Sequence, residues 1–371
     1  MFLKRVKAKK IKDSRGDFTI EVSVNKQEAS SPSGKSTGKY ETPSYRKTLK
    51  QSIKDINNTD FFNLEINSFK DLSKVESLIK KKFKLKDVKQ FGANTLVALE
   101  VATLKALAKE KNKQLFQIIN PNAKKIPVPV GNVIGGGLHS HNKNKPVFQE
   151  FLIISPNVKL MKKIHKQLKT KTKNDEGAWE TSLNNEQVLE ILSKIKGVKI
   201  GLDVAASSFY KNNSYNYNNK HLNPSTQISY INYLIKKYSI FYTEDPLQEE
   251  DFKGFSKIKH SPTHLVVGDD LTATQISRVK KAIKQKSINA LIIKPNQNGS
   301  LLELKQIFDI CKKYKIKTIL SHRSGETIDN ALADLAVGFG ADFIKTGIAT
   351  RWREVKLKRL VKIRKQIKNQ R

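Results

Sequence analysis

KIGLDVA (199–205), FYTEDP (241–246), LVVGDD (265–270), ALIIKP (290–295), TILSHRSGET (318–327) and DFIKTG (342–347) are six short apolar runs, each ending in a charged residue. The charged residues are Asp203, Glu244, Asp269, Lys294, His322 and Lys345, separated by 41, 25, 25, 28 and 23 positions. Runs of four to six residues rich in Val, Ile and Leu suit strands buried on both faces. Between them lie the amphipathic stretches STQISYINYLIKKY, ATQISRVKKAIKQK, SLLELKQIFDICKKY and TIDNALADLAVGFG. A strand, a crossover helix and two turns occupy roughly 25 to 30 residues, so the spacing predicts repeated βα units. Six units in phase favour a closed βα barrel over an open doubly wound sheet, although spacing alone fits both.

In a barrel the C-terminal ends of the strands share one mouth, which brings these six residues to one pocket. Taken singly, each is equally well a first solvated loop position. Three carboxylates, two lysines and a histidine at the same strand end are better read as a site. Asp203, Glu244 and Asp269 offer hard oxygen ligands and no thiolate, a set that favours Mg²⁺. Beside such an ion, Lys294 or Lys345 is expected to hold a neutral amine and act as a general base.

With 371 residues the chain has room for a barrel of about 250 residues and an additional domain. Its first residues, MFLKRVKAKKIKDS, lack a secretory apolar segment, and no run of about 18 apolar residues occurs anywhere. The expectation is a soluble, cytoplasmic protein with no membrane association. Cys311 is the sole cysteine, which excludes a disulfide framework; it falls on the apolar side of its helix as a core thiol. Lys and Arg number 70 against 34 Asp and Glu, a net charge of +36 that would attract nucleic acid non-specifically. The basic residues are spread along the chain as KK and KxK on helix faces, which reads as solvated surface first. A polyanion- or RNA-binding protein is the second reading. No zinc-finger spacing, RNA-binding aromatic signature or glycine-rich nucleotide loop accompanies the charge.

Residues 1–25 read as two strands joined at SRGDF, and SSPSGKSTGKYE (30–41) as a loop able to close over a site. GKST imitates the end of a phosphate loop, but the upstream glycine and the buried strand are missing. RKTLKQSIKDI, FKDLSKVESLIKKKF and NTLVALEVATLKALAKEK are helical, the last with the best apolar stripe. PNAKKIPVP, with prolines at 121, 127 and 129, divides an N-terminal α+β domain (1–122) from the barrel (123–371). Further on, GGGLHSH brings His139 and His141, VFQEFLIIS carries Glu150, and KNDEGAWE carries Asp175 and Glu176. Alone, each is weak: a His pair without a third ligand is not a zinc site, and a DE pair is usually solvated.

Taken together and in order, these segments resemble the enolase family of phosphopyruvate hydratases. The pieces are SRG (14–16), PSGKSTGKYE (32–41), GGLH (136–139), QEF (149–151), DEG (175–177) and GLDVAAS (201–207). EDP (244–246), GDDLT (268–272), KPNQ (294–297), SHRSGET (321–327) and IKTG (344–347) complete the series over almost the whole chain. The resemblance implies an enolase-type barrel converting 2-phosphoglycerate to phosphoenolpyruvate, with two Mg²⁺ ions per site, the second arriving with substrate. It implies that Asp203, Glu244 and Asp269 hold the first ion and that Ser36 closes over the second. Lys294 is then the base at carbon 2, and Glu176, partnered by Glu150, assists departure of the carbon 3 hydroxyl. Lys345 neutralises the substrate carboxylate, Arg323 and Ser324 hold the phosphate, and His322 and His139 flank the substrate. A homodimer is also implied.

The chemistry is consistent with such a set. A proton beside a carboxylate is very weakly acidic, because its loss puts a second negative charge on the same group. Divalent ions and an ammonium stabilise that dianion, an arrangement typical of this superfamily. Hydroxide leaves poorly and needs an acid, so Glu176 is expected to be kept protonated by burial or by sharing a proton with Glu150. The chain departs from the family at four places. Lys35 stands in the closing loop where alanine is usual, and the loop from His139 to Glu150 is longer, leaving open which of His139 and His141 faces the site. The segment after Lys345 lacks the usual asparagine and acidic tail, and the N-terminal half is short.

Overall fold

The computed structural model describes residues 1–34, 38–259 and 263–369. Lys35 and Ser36 lie outside the described residues. The hairpin expected around SRGDF is formed by β1 (Val6–Lys12) and β2 (Phe18–Val24), extended antiparallel by β3 (Gln27–Ser30). Ile20, Val22 and Val24 alternate inward and are fully buried against the helix Ala93–Glu110. That helix, rich in Ala and Leu, is buried on nearly every side and not along one stripe. Its small side chains let the sheet lie on one flank and the turn Pro295–Asn298 of the barrel on the other.

From residue 128 the strands are β4 (Val128–Gly135), β5 (Glu150–Ile154), β6 (Trp179–Glu180) and β7 (Lys199–Asp203). A three-stranded excursion follows, β8 (Tyr210–Lys211), β9 (Ser214–Asn216) and β10 (His221–Leu222). The series ends with β11 (Tyr242–Glu244), β12 (Leu265–Gly268), β13 (Ala290–Ile293), β14 (Lys317–Ser321) and β15 (Phe343–Lys345). β7, β11, β12, β13, β14 and β15 run parallel in sequence order, as the repeat predicts. β15 pairs with β4, and β4, β5 and β7 complete the circle, so the sheet is a closed barrel of 8 strands. The open-sheet alternative is thereby excluded.

One strand breaks the pattern. β5 is antiparallel to both β4 and β7, because residues 136–149 return the chain without a crossover helix. Glu150 is therefore the first residue of its strand, not an interior one, and still reaches the same mouth, opposite Asp203.

The barrel interior is filled by Val130, Leu152, Tyr242, Val267, Ile292 and Ile319, all fully buried. Helices Pro224–Lys237, Ile276–Lys284 and Leu301–Lys313 pack outside it with charged outer faces, and Cys311 is buried as expected. The helix Ala331–Phe339 is not amphipathic, contrary to the pattern read from TIDNALADLAVGFG. The helices Leu115–Ile119 and Arg351–Asn369 cover the faces that solvent would otherwise wet. No helix among the described residues is long and apolar enough to cross a membrane.

Candidate active site

Asp203, Glu244 and Lys345 are the last residues of β7, β11 and β15; Asp269, Lys294 and His322 directly follow β12, β13 and β14. Five of the six line one cavity of ≈ 360 Å³, together with Glu150, Glu176, His139, Arg323 and Ser324. Glu244 lies beneath, 1% exposed, with Lys345 over it. The cavity is of the size that small-molecule sites occupy.

At its floor the Lys345 ammonium lies 2.9 Å from carboxylate oxygens of Asp203, Glu244 and Glu150. Tyr242 donates a hydrogen bond of 2.6 Å to Glu244. Burial opposes the Lys345 charge, but these acids outweigh it and hold the ammonium well above the ordinary lysine range. Lys294 is half-buried, and its ion pair with Asp269 raises it against the cost of that desolvation. In the resting geometry a carboxylate, not a positive group, is each lysine's nearest charge.

The far wall carries the groups expected to act as acid. Asn174 accepts from the backbone N–H of Glu176 (3.1 Å) and of Ala178 (2.9 Å), a turn completed by Gly177 at φ +83°. A Cβ on Gly177 would come within 2.7 Å of Thr350, so the turn packs tightly on the segment leading into the C-terminal helix. Glu176 is 3.6 Å from His139 Nδ1 and 3.9 Å from His322 Nε2. Glu150 is pushed upward by burial, against the lowering effect of the Lys345 ammonium, and the neighbouring Glu176 charge adds to the rise. His322 is held well below the ordinary histidine range by burial and by surrounding cations, Arg353 first among them. His141 is 76% exposed and pairs with Glu180, so the structure selects His139 as the histidine that faces the cavity.

The loop after β14 presents Arg323 and Ser324. Arg323 forks onto Glu41 at 2.8 and 3.1 Å, and Arg15 donates to Ser324 Oγ at 3.2 Å. Ser33 and Gly325 exchange backbone hydrogen bonds, tying the N-terminal domain to this loop. Gly325 is required there, since a Cβ would lie 2.1 Å from Asp13. Sequence reasoning gave no role to Glu41, Asp245, Asp270 or Arg353. The first three stand inside quoted motifs beside residues already chosen; Arg353 had no signal in an atypical segment.

Among the described residues two groups bring three potential ligands within 4.8 Å, His139–Glu150–Glu176 and Asp245–Asp269–Asp270. The expected trio is instead split, with Asp203 and Glu244 around Lys345 and Asp269 on Lys294. A divalent ion nevertheless fits the donor set. Burial and mutual repulsion push Asp203 up, Glu244 and Asp245 well up, and Asp270 to about 7, whereas Asp269 is lowered, the lysines outweighing its burial. Negative charge exceeds what two lysines balance, and every donor is a hard oxygen.

Fold and cavity together define a βα barrel whose mouth gathers ionisable side chains in one pocket, with acidic clusters able to hold metal. The family model described as "Enolase, N-terminal domain" matches residues 3–119, and "Enolase, C-terminal TIM barrel domain" matches 123–371. An enolase of Picrophilus torridus is 35% identical over 98% of this chain and 99% of its own length. One of Methanosphaera stadtmanae is 36% identical over 98% and 97%, and one of Archaeoglobus fulgidus 34% identical over 98% and 97%. The chain belongs to the enolase family, the hydro-lyases called phosphopyruvate hydratases.

Proposed function

We propose that this protein catalyses the Mg²⁺-dependent, reversible dehydration of 2-phospho-D-glycerate to phosphoenolpyruvate in glycolysis and gluconeogenesis. The observation that carries the reading is one cavity lined by an amine that follows a barrel strand, Lys294, and a carboxyl group from the turn before β6, Glu176, with Arg323 and Ser324 presented where the loop after β14 meets the N-terminal domain. Lys294 takes the proton from carbon 2 once substrate relieves its pair with Asp269. Glu176, set between His139 and His322, gives a proton to the departing carbon 3 hydroxyl, and Glu150 resupplies it. Lys345 stays protonated and offsets charge on the enediolate; Arg323 and Ser324 orient the phosphate. Held by Asp203, Glu244 and Asp269, Mg²⁺ would polarise the substrate carboxylate and stabilise the charge that develops on it. The same reading assigns Ser36 to a second ion, places the domain division at residue 122, and makes the protein a cytoplasmic homodimer.

The test follows phosphoenolpyruvate absorbance with purified protein and 2-phosphoglycerate. Product should form with Mg²⁺ and cease on adding a chelator. No product at saturating Mg²⁺ and substrate would overturn the reading.

A further inference from the structure

Among the described residues the largest fully buried side chain is a cation, Arg353, with 0% exposure. A guanidinium has five N–H donors and cannot shed its charge, so burying it is costly unless its surroundings answer both needs. Two neighbours on the same C-terminal helix show what ordinary compensation looks like. Arg359 forks onto Asp334 at 2.6 and 2.7 Å, and Lys356 pairs with Glu326 at 2.5 Å. Arg353 makes no such pair. It donates to the backbone carbonyl of Ser324 at 3.0 Å, to that of Arg323 at 3.5 Å and to Thr350 Oγ1 at 3.3 Å. Among the described residues the one carboxylate within ion-pair reach is Glu176, at 3.8 Å. That distance sustains attraction without a hydrogen bond that would tie up the carboxyl oxygen. The path of the side chain is also built in, since a Cβ on Gly347 would lie 2.6 Å from Arg353 Cδ.

We propose that Arg353 is a positioning residue of the reaction, joining the phosphate-binding backbone at Arg323–Ser324 to the acid Glu176. The inference rests on the phosphopyruvate hydratase reading. When the loop takes up phosphate, the carbonyls that Arg353 grips and the acid it faces keep one spacing, so substrate phosphate and departing hydroxyl stay in register. Losing the fork should loosen phosphate binding. Losing the charge should in addition impair the acid's step while leaving proton removal by Lys294 intact.

The experiment compares the wild-type protein with Arg353→Lys and Arg353→Met, each checked for a cooperative melt. It measures KM for 2-phosphoglycerate, kcat for dehydration, and exchange of the carbon 2 hydrogen with solvent. Both variants should raise KM, by about tenfold, and only Arg353→Met should lower dehydration relative to exchange, by about tenfold or more. An unchanged KM in the Lys variant, an unchanged ratio in the Met variant, or exchange and dehydration falling together would each overturn the inference. Should the Met variant not fold, Arg353→Gln supplies the neutral side chain under the same criteria. A wild-type protein inactive on 2-phosphoglycerate would instead sink the underlying reading, which separates the two failures.

Discussion

At the scale of single residues the site works by placing like groups in unlike surroundings. Lys294 and Lys345 are chemically identical, yet Lys345 answers three carboxylates and Lys294 one. In the proposed reaction it is Lys294, with its single partner, that gives up the pair and acts as the base. Arg323→Lys should raise KM for substrate by about 10- to 100-fold with a smaller effect on kcat, since an ammonium cannot reproduce the planar fork now set on Glu41. Gly347→Ala should lower stability by about 1–3 kcal/mol in a denaturant titration, because φ +68° strains any L side chain and the new methyl meets Arg353. The strand-end acids and lysines were legible in sequence because each follows a buried apolar run. Glu150 was legible only through the family resemblance, since it begins a reversed strand, and Arg353 was not legible, because nothing local marks an arginine as buried.

Among the elements, the helix Ala93–Glu110 and the loop after β14 carry the contact between domains. Lys105 on that helix pairs with Asp329 at 2.8 Å, and Ser30 and Ala331 add backbone N–H donors. Burial alone would raise Asp329, but Lys105 and these donors prevail and depress it below the usual carboxylate range. The stabilisation is then complete above the unfolded value near ~3.9 and is lost as pH falls through the lower folded value. Asp329→Asn should cost about 1.5–3 kcal/mol at neutral pH and flatten the acid limb of stability against pH. An acid melt of the variant parallel to that of the wild type would refute this. Most of the elements themselves were readable from periodicity. What periodicity did not show was set by tertiary contact: Ala331–Phe339, read as amphipathic, is roofed by other helices, and the direction of β5 follows from a loop that carries no crossover helix.

For the whole molecule the charge is the unusual quantity. At +36, with basic residues on both domains, binding to RNA should be non-specific and fall steeply with added salt. Affinity that persists at about 0.5 M salt would instead indicate a dedicated site. The concentration of buried acids at one mouth predicts the reverse preference there. Mg²⁺ at about 100 times its dissociation constant should add about 2.7 kcal/mol of stability, seen as a raised melting temperature, and Asp203→Asn should blunt the response. The division of labour across the cavity is tested most directly by exchange of the carbon 2 hydrogen of 2-phosphoglycerate with solvent. Glu176→Gln should retain exchange while dehydration falls about 10²- to 10⁴-fold, and Lys294→Ala should lose both. Exchange surviving in Lys294→Ala, or lost equally in the two variants, would contradict the account.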